Sequence, residues 1–87
     1  MATEEKIGTV TDYYAKLGVA AVRLTDGDLQ IGDRIRIRGH TTDLVQSVES
    51  LQLEHQPVQR ATRGNEVALK VRERVRRHDQ VLRVSGE

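Results

Sequence analysis

The chain has 87 residues, of which 37% are hydrophobic and 31% charged, and its formal net charge is +1. This length and composition predict one small soluble domain. The sequence contains no cysteine, which excludes disulfide scaffolds, cysteine-ligated zinc and thiol catalysis. No apolar run approaches the roughly 20 residues of a membrane span, and the acidic start is unlike a secretory signal. We therefore expect a cytoplasmic protein with no membrane partner.

The positive charge is concentrated in the last third of the chain. Residues 1–59 carry a net charge of −3 and residues 60–87 a net charge of +4, and eleven of the 14 basic residues are arginine. Clustered arginine suits phosphate or carboxylate partners, because the guanidinium donates two parallel hydrogen bonds. The alternative is a solvated strand surface in which these arginines form salt bridges.

Apolar and polar residues alternate in short runs, a pattern typical of strands separated by turns. The clearest run is 34–38, in which Ile35 and Ile37 are predicted to face a core while three arginines face solvent. Glycine next to polar residues indicates turns at 16–18, 25–28 and 32–33. Strands are predicted at 7–14, 19–25, 34–38 and 80–84.

Two later segments fit more than one structure. In residues 43–55, Leu44, Val48 and Leu51 have helical spacing, whereas Leu51 and Leu53 have the spacing of a strand. Apolar residues in 66–76 also fit both periods. The pattern favours a strand in each segment and leaves a helix open.

About six short strands joined by tight turns predict an all-β fold. The specific prediction is a small closed six-stranded antiparallel β-barrel over residues 6–84, because closure removes unpaired strand edges. Residues 1–5 and 85–87 are expected to be flexible ends.

Several motifs resemble the second domain of translational GTPases of the elongation factor Tu type. They are G-V-A-A-V at 18–22, G-D-L-Q-I-G-D-R-I-R-I-R-G at 27–39, V-E-S-L at 48–51, R-G-N-E-V-A-L at 63–69 and D-Q-V-L at 79–82. The segment H-T-T-D at 40–43 is similar to one in short stand-alone elongation-factor-like proteins. Similar barrels also occur as domains appended to larger enzymes, including U32-type peptidases. The resemblance covers residues 6–84, implies the translation-protein barrel and favours strands in both ambiguous segments.

The resemblance implies a translation-factor-like binding module with no enzyme activity, no cofactor and no nucleotide bound by this chain alone. Its implied partners are tRNA, rRNA or the ribosome. In the family, the glutamate that matches Glu49 lies against the terminal adenosine of tRNA, and a carboxylate can accept hydrogen bonds from ribose hydroxyls. The alternative for Glu49 is a salt bridge with a neighbouring arginine. The chain departs from the family pattern at Arg23, Glu66, Ala68 and the pair His78-Asp79.

The candidate RNA contacts are Glu49 for ribose and ten basic side chains for phosphate. The basic candidates are Arg34, Arg36, Arg38, Arg60, Arg63, Lys70, Arg72, Arg74, Arg76 and Arg77. Phosphate contacts would make the affinity fall as salt rises. A second hypothesis is a protein–protein adaptor barrel that docks onto a larger enzyme or GTPase.

Other chemistry has weak support. The histidines His40, His55 and His78 lack the close spacing of known metal motifs, and no nucleophile-elbow sequence surrounds Ser47 or Ser50. The sequence therefore predicts neither a metal site nor a catalytic residue.

Overall fold

The computed structural model describes residues 3–85. This part of the chain folds into strands and turns, which confirms the all-β prediction. None of it forms a helix with the length and hydrophobicity that a membrane crossing requires. The ten strands are β1 (Thr3–Tyr14), β2 (Val19–Leu24), β3 (Leu29–Gln30), β4 (Arg34–Arg38), β5 (Asp43–Ser47), β6 (Gln52–Leu53), β7 (Gln56–Pro57), β8 (Arg60–Ala61), β9 (Glu66–Lys70) and β10 (Gln80–Ser85).

Eight of these strands form one antiparallel sheet in the order β5-β4-β10-β1-β2-β9-β6-β7, and β3 pairs with β8. Within residues 3–85 the larger sheet ends at β5 and β7, so the predicted closed six-stranded barrel is wrong. Among the described residues the outer edge of β5 has no strand partner, because there only the Gln46 side chain, and not the main chain, bonds to the segment after β9. On its inner edge the chain after β5 continues the pairing with β4 into the turn that precedes it. The Val48 amide donates to the Asp33 carbonyl at 2.8 Å, and the Val48 carbonyl accepts from the Gly32 amide at 2.9 Å.

The long strand β1 lies at the centre of the sheet between β10 and β2. Its register shifts between Lys6 and Gly8 and again between Val10 and Asp12. At Gly8 the strands approach so closely that a Cβ there would clash with the Arg23 carbonyl oxygen. β1 begins at Thr3, which pairs with Ser85 inside the ends that were expected to be flexible; residues 1, 2, 86 and 87 lie outside the described residues.

The inward faces of the strands form one hydrophobic core. Ile35 and Ile37 are fully buried there, as the alternation predicted. Of the two adjacent tyrosines, Tyr13 packs against the core and Tyr14 is exposed. The largest fully buried side chains are Ile7, Leu24, Leu29, Ile35, Ile37, Leu51, Leu69, Val10, Val22, Val48, Val67 and Val75.

A glutamine side chain joins the free edge of β5 to the chain that follows β9. Gln46 points inward with Leu44 and Val48 and is only 6% exposed. Its Nε2 donates to the Lys70 carbonyl at 2.8 Å, and its Oε1 accepts from the Arg72 amide at 2.8 Å. These two bonds, called the Gln46 bridge below, replace a stretch of main-chain pairing at the open side of the sheet.

Candidate functional site

The three arginines of β4 face outward as predicted, but they do not share one environment. Arg36 donates from Nε and Nη2 to the two carboxylate oxygens of Asp43, each at 2.8 Å, and from Nη1 to Glu4 at 2.8 Å. The hydrogen bond from Arg36 lowers the pKa of Asp43 below its ordinary value. Arg34 and Arg38 form no ion pair within residues 3–85. Of these three arginines, Arg36 therefore fits the alternative in which the strand arginines form salt bridges.

A charged corner forms around Asp28. Its carboxylate accepts from Arg60 Nη2 at 2.7 Å and from the Arg63 amide at 3.3 Å, and both bonds lower its pKa. Arg83 donates to the Asp28 carbonyl at 2.8 Å and to the Glu5 carboxylate at 3.0 Å. The corner borders a depression of about 510 Å³. Sequence reasoning missed Arg83, whose only signal is that it is the single basic residue of β10.

The basic loop, residues 71–79, joins β9 to β10 and is anchored at intervals of four residues. Val71, Val75 and Asp79 are buried, so the arginines between them face solvent. The Asp79 carboxylate accepts from the Arg76 amide at 2.9 Å, and its carbonyl accepts from the Val10 amide at 2.8 Å. The pair His78-Asp79, at which the sequence departs from the translational GTPase pattern, thus fixes this loop to β1.

Ion pairs at the basic loop are long and exposed. Arg72 lies 3.9 Å from Glu49 and Arg77 lies 3.6 Å from Asp12, and such surface pairs contribute little stability. Within the described residues, neither Lys70 nor Arg74 nor Arg76 belongs to an ion pair.

The predicted phosphate contacts do not converge on one surface. Arg34 pairs with Val84 and Arg38 with Gln80, so they lie at opposite ends of β4. Arg38 is beside the end of the basic loop, whereas Arg60 and Arg63 belong to the charged corner. Contact of these side chains and Glu49 with phosphate or ribose stays a prediction, as do an RNA partner and a cytoplasmic location.

An apolar groove of about 400 Å³ crosses the outer face of β2 and β9. Its floor includes Ala21 and Ala68, which are direct partners in the β2–β9 ladder. Two small side chains opposite each other leave a depression between their larger neighbours. Tyr14 and Leu17 line one side and are 47% and 66% exposed. Val45, on the outer face of β5 opposite Arg36, is the third exposed large apolar residue among those described.

The opposite wall of the apolar groove is the β6–β7 hairpin, which contributes Gln52, Glu54 and His55. Glu54 and His55 form its two-residue turn and have φ angles of 52° and 67°. Positive φ at both positions is the signature of a type I′ turn, for which Asn-Gly is strongly preferred. The hairpin therefore keeps a strained pair whose side chains face the groove. Sequence reasoning missed this groove, although small alanines in two strands and a leucine in a turn were its signals.

The histidines are dispersed. His55 lies in the hairpin turn and His78 in the basic loop, while His40 follows β4. Among residues 3–85, no three His, Asp or Glu side chains come together as a metal-binding group.

The chain is similar in sequence to proteins named collagenase and protease. No protein-family model matches it. It is 41% identical over 85 residues to a collagenase of Porphyromonas gingivalis W83, a match that covers 94% of this chain and 20% of that protein. It is 42% identical over 77 residues to an uncharacterized protease of Methanocaldococcus jannaschii, covering 87% of this chain and 19% of that protein. The chain thus spans about a fifth of the length of the curated relatives it matches.

The solved structures give the same fold. The C-terminal domain of a Geobacillus thermoleovorans protein assigned as a U32 peptidase matches with a TM-score of 0.84 and 21% identity, over 91% of both chains. A selenomethionine variant of that domain matches with a TM-score of 0.83.

These matches correct the assignment that the sequence motifs suggested. The relatives are proteins named collagenase and protease, so the assignment to the second domain of translational GTPases is wrong. The expectation of a translation-factor-like module is wrong for the same reason. The expectation of a protein unrelated to enzymes is also wrong, because the relatives are named as enzymes, although this chain matches only about a fifth of each. The order of the motifs gave the wrong family because the motifs consist of strands and glycine turns. These indicate a small β-fold but do not indicate its function. The second hypothesis, an adaptor barrel that docks onto a larger enzyme, agrees better with these matches.

Proposed function

We propose that the chain is an accessory β-domain of a peptidase of the collagenase and U32 type, which docks onto the larger part of that enzyme and supports it. The observation that carries this proposal is the pattern of coverage: nearly the whole chain matches, but over only a fifth of each relative. Below, the body means the part of such a peptidase outside the segment that matches this chain. This function corresponds to the adaptor hypothesis, with a peptidase as the larger enzyme.

The solved domain supports the proposal, because its fold matches over 91% of both chains and is therefore a unit of its own size. An independent domain joined to a larger body acts through the surface that meets the body. Contacts between domains of one chain resemble transient protein–protein interfaces and combine polar with apolar groups. The described residues offer both kinds of surface.

A chimera tests this function. In the P. gingivalis collagenase, the matching segment is replaced by this chain, and collagen cleavage and thermal unfolding are compared with the native enzyme. The comparison variant carries an unrelated β-domain of equal size in the same place. We expect the chimera to keep at least a third of the native cleavage rate and the comparison variant to lose at least tenfold. Equal losses in both would overturn the proposed function.

A further inference from the structure

We infer that the apolar groove is the surface by which this domain docks onto the peptidase body, which presents to it an apolar ridge flanked by lysine or arginine. This inference rests on the proposed function and deepens it, because it assigns the contact to one face of the domain and gives its partner a chemistry. Four observations carry it: exposed apolar side chains, a small-residue floor, a strained wall and an acidic rim.

Exposed apolar surface is concentrated at the groove. Of the three large apolar residues that are exposed among those described, Tyr14 and Leu17 line it. Tyrosine is enriched among the residues that dominate binding energy at interfaces, and such residues cluster at the centre of the contact. Ala21 and Ala68 leave room between the walls for side chains from another surface.

The β6–β7 hairpin, which forms one wall of the groove, has a strained backbone that lowers the stability of the domain. Glu54 and His55 adopt left-handed backbone conformations that asparagine and glycine adopt more easily. Residues held in such conformations cluster at binding sites, where their side chains are needed. Both side chains line the groove.

The charges at the groove define the partner. Glu54 and Glu66 line it, and no lysine or arginine is among the described residues that do so. Glu66 accepts a hydrogen bond from the Thr11 hydroxyl. Its ladder partner Arg23 forms no ion pair with it within residues 3–85. Among the described residues neither Glu54 nor Glu66 belongs to an ion pair, so both charges can meet basic groups. Complementary charge around an apolar centre fixes partner choice and orientation.

The other charged surfaces are weaker candidates for this contact. In the charged corner, Arg60 and Arg83 already bond to acceptors of this chain. The basic loop presents solvated arginines around buried valines and has no apolar side chain exposed at its surface. Burying those arginines in a contact would require an acidic partner surface. The loop itself has no exposed apolar residue that could form the centre of such a contact.

Hydrogen exchange on the chimera described above tests the inference, because the peptide link keeps even a weak contact at high effective concentration. Amide exchange of this chain is compared between the isolated form and the chimera. We expect at least fivefold slower exchange in the chimera at the turns beside the groove, residues 15–18 and 54–55, which lie between paired strands and outside their ladders.

Matched variants identify the contact. Leu17→Ser and Tyr14→Ser should each remove most of the added protection and lower the thermal unfolding temperature of the chimera. Val45→Ser, which alters an exposed apolar residue outside the groove, should leave the protection within twofold of the parent. Glu54→Lys tests the charge separately and should also reduce the protection, even if one of the apolar variants folds poorly.

The outcomes separate the inference from the function. Protection of the basic loop or charged corner with unchanged groove turns, in a chimera that cleaves collagen, would overturn the inference alone. Groove protection that persists in Leu17→Ser, Tyr14→Ser and Glu54→Lys would also overturn it. A chimera in which no part of the chain gains protection would overturn docking itself, and with it the proposed function.

Discussion

The ladder strands and the stretch from β5 to β9 are stabilised in different ways. β1, β2, β4 and β10 pair over five or six residues each through main-chain hydrogen bonds, with two register shifts in β1. Between β5 and β9 the strands are two residues long, and isolated bonds such as Val58 N–H to the Leu51 carbonyl at 2.9 Å position the chain. In a ladder the loss of one side chain leaves the main-chain pairing intact, whereas at the free edge of β5 a single side chain, Gln46, makes the connection to the chain after β9.

The largest effect that this difference predicts is at the Gln46 bridge. Gln46→Leu would leave the part-buried Lys70 carbonyl and Arg72 amide without their partner, and a polar group left unpaired away from bulk water costs about 1–3 kcal/mol. We expect the free energy of unfolding, measured with urea, to fall by about 2–3 kcal/mol.

The matched control is Gln80→Leu, which changes an exposed glutamine in the ladder strand β10. Its effect should stay within about 0.5 kcal/mol. If the two leucine variants lose equal stability, the bridge does not contribute as the structure indicates.

The same residue explains why the sequence was ambiguous at this point. Inward positions of β5 and the next residues alternate as Leu44, Gln46 and Val48. A polar residue at the middle inward position hides the strand period and leaves apolar spacing that also fits a helix. In β4 both inward residues are isoleucine, so the prediction was correct. Local pattern thus predicts ladder strands, but a glutamine that pairs with distant main chain leaves no local signal.

A smaller effect of opposite sign is expected at the β6–β7 hairpin. Glu54→Asn combined with His55→Gly supplies residues that suit a type I′ turn, and relief of left-handed strain should raise the free energy of unfolding by about 1 kcal/mol. For a domain of this size that corresponds to a rise of roughly 4–8 °C in Tm, measured by thermal unfolding.

The control for the hairpin places the same residues where they have no such advantage. Glu73 and Arg74 lie in the basic loop and are not among the described residues with positive φ. Glu73→Asn with Arg74→Gly should therefore lower Tm, because glycine increases the entropy of the unfolded chain. A gain in the loop as large as that in the hairpin would show that turn strain is not its cause.

The candidate site was less predictable than the strands. The sequence correctly placed the arginines of β4 on the outside, yet it did not show that Arg36 would be occupied by Asp43 and Glu4. The apolar groove depends on Ala21 lying opposite Ala68 and on a hairpin that approaches from elsewhere in the chain. Register and hairpin placement are tertiary properties, so residue type alone could not locate the groove.

The smallest expected effect concerns the ion pair between β4 and β5 and depends on pH. The bonds from Arg36 hold the pKa of Asp43 below its ordinary value of 3.8. A carboxyl whose pKa is depressed by folding stabilises the native state above its unfolded pKa, and this stabilisation is lost as the pH falls through the folded pKa. Urea unfolding at several pH values should therefore show Asp43→Asn less stable than the native chain at pH 7. The difference should shrink below about pH 4.

The control is Asp26→Asn. The Asp26 carboxylate accepts only from the adjacent Thr25 hydroxyl among the described residues, so this variant should follow the native curve throughout. A gap between native and Asp43→Asn that stays constant down to pH 2 would mean that the ladder, and not the Arg36 ion pair, sets the stability of this edge.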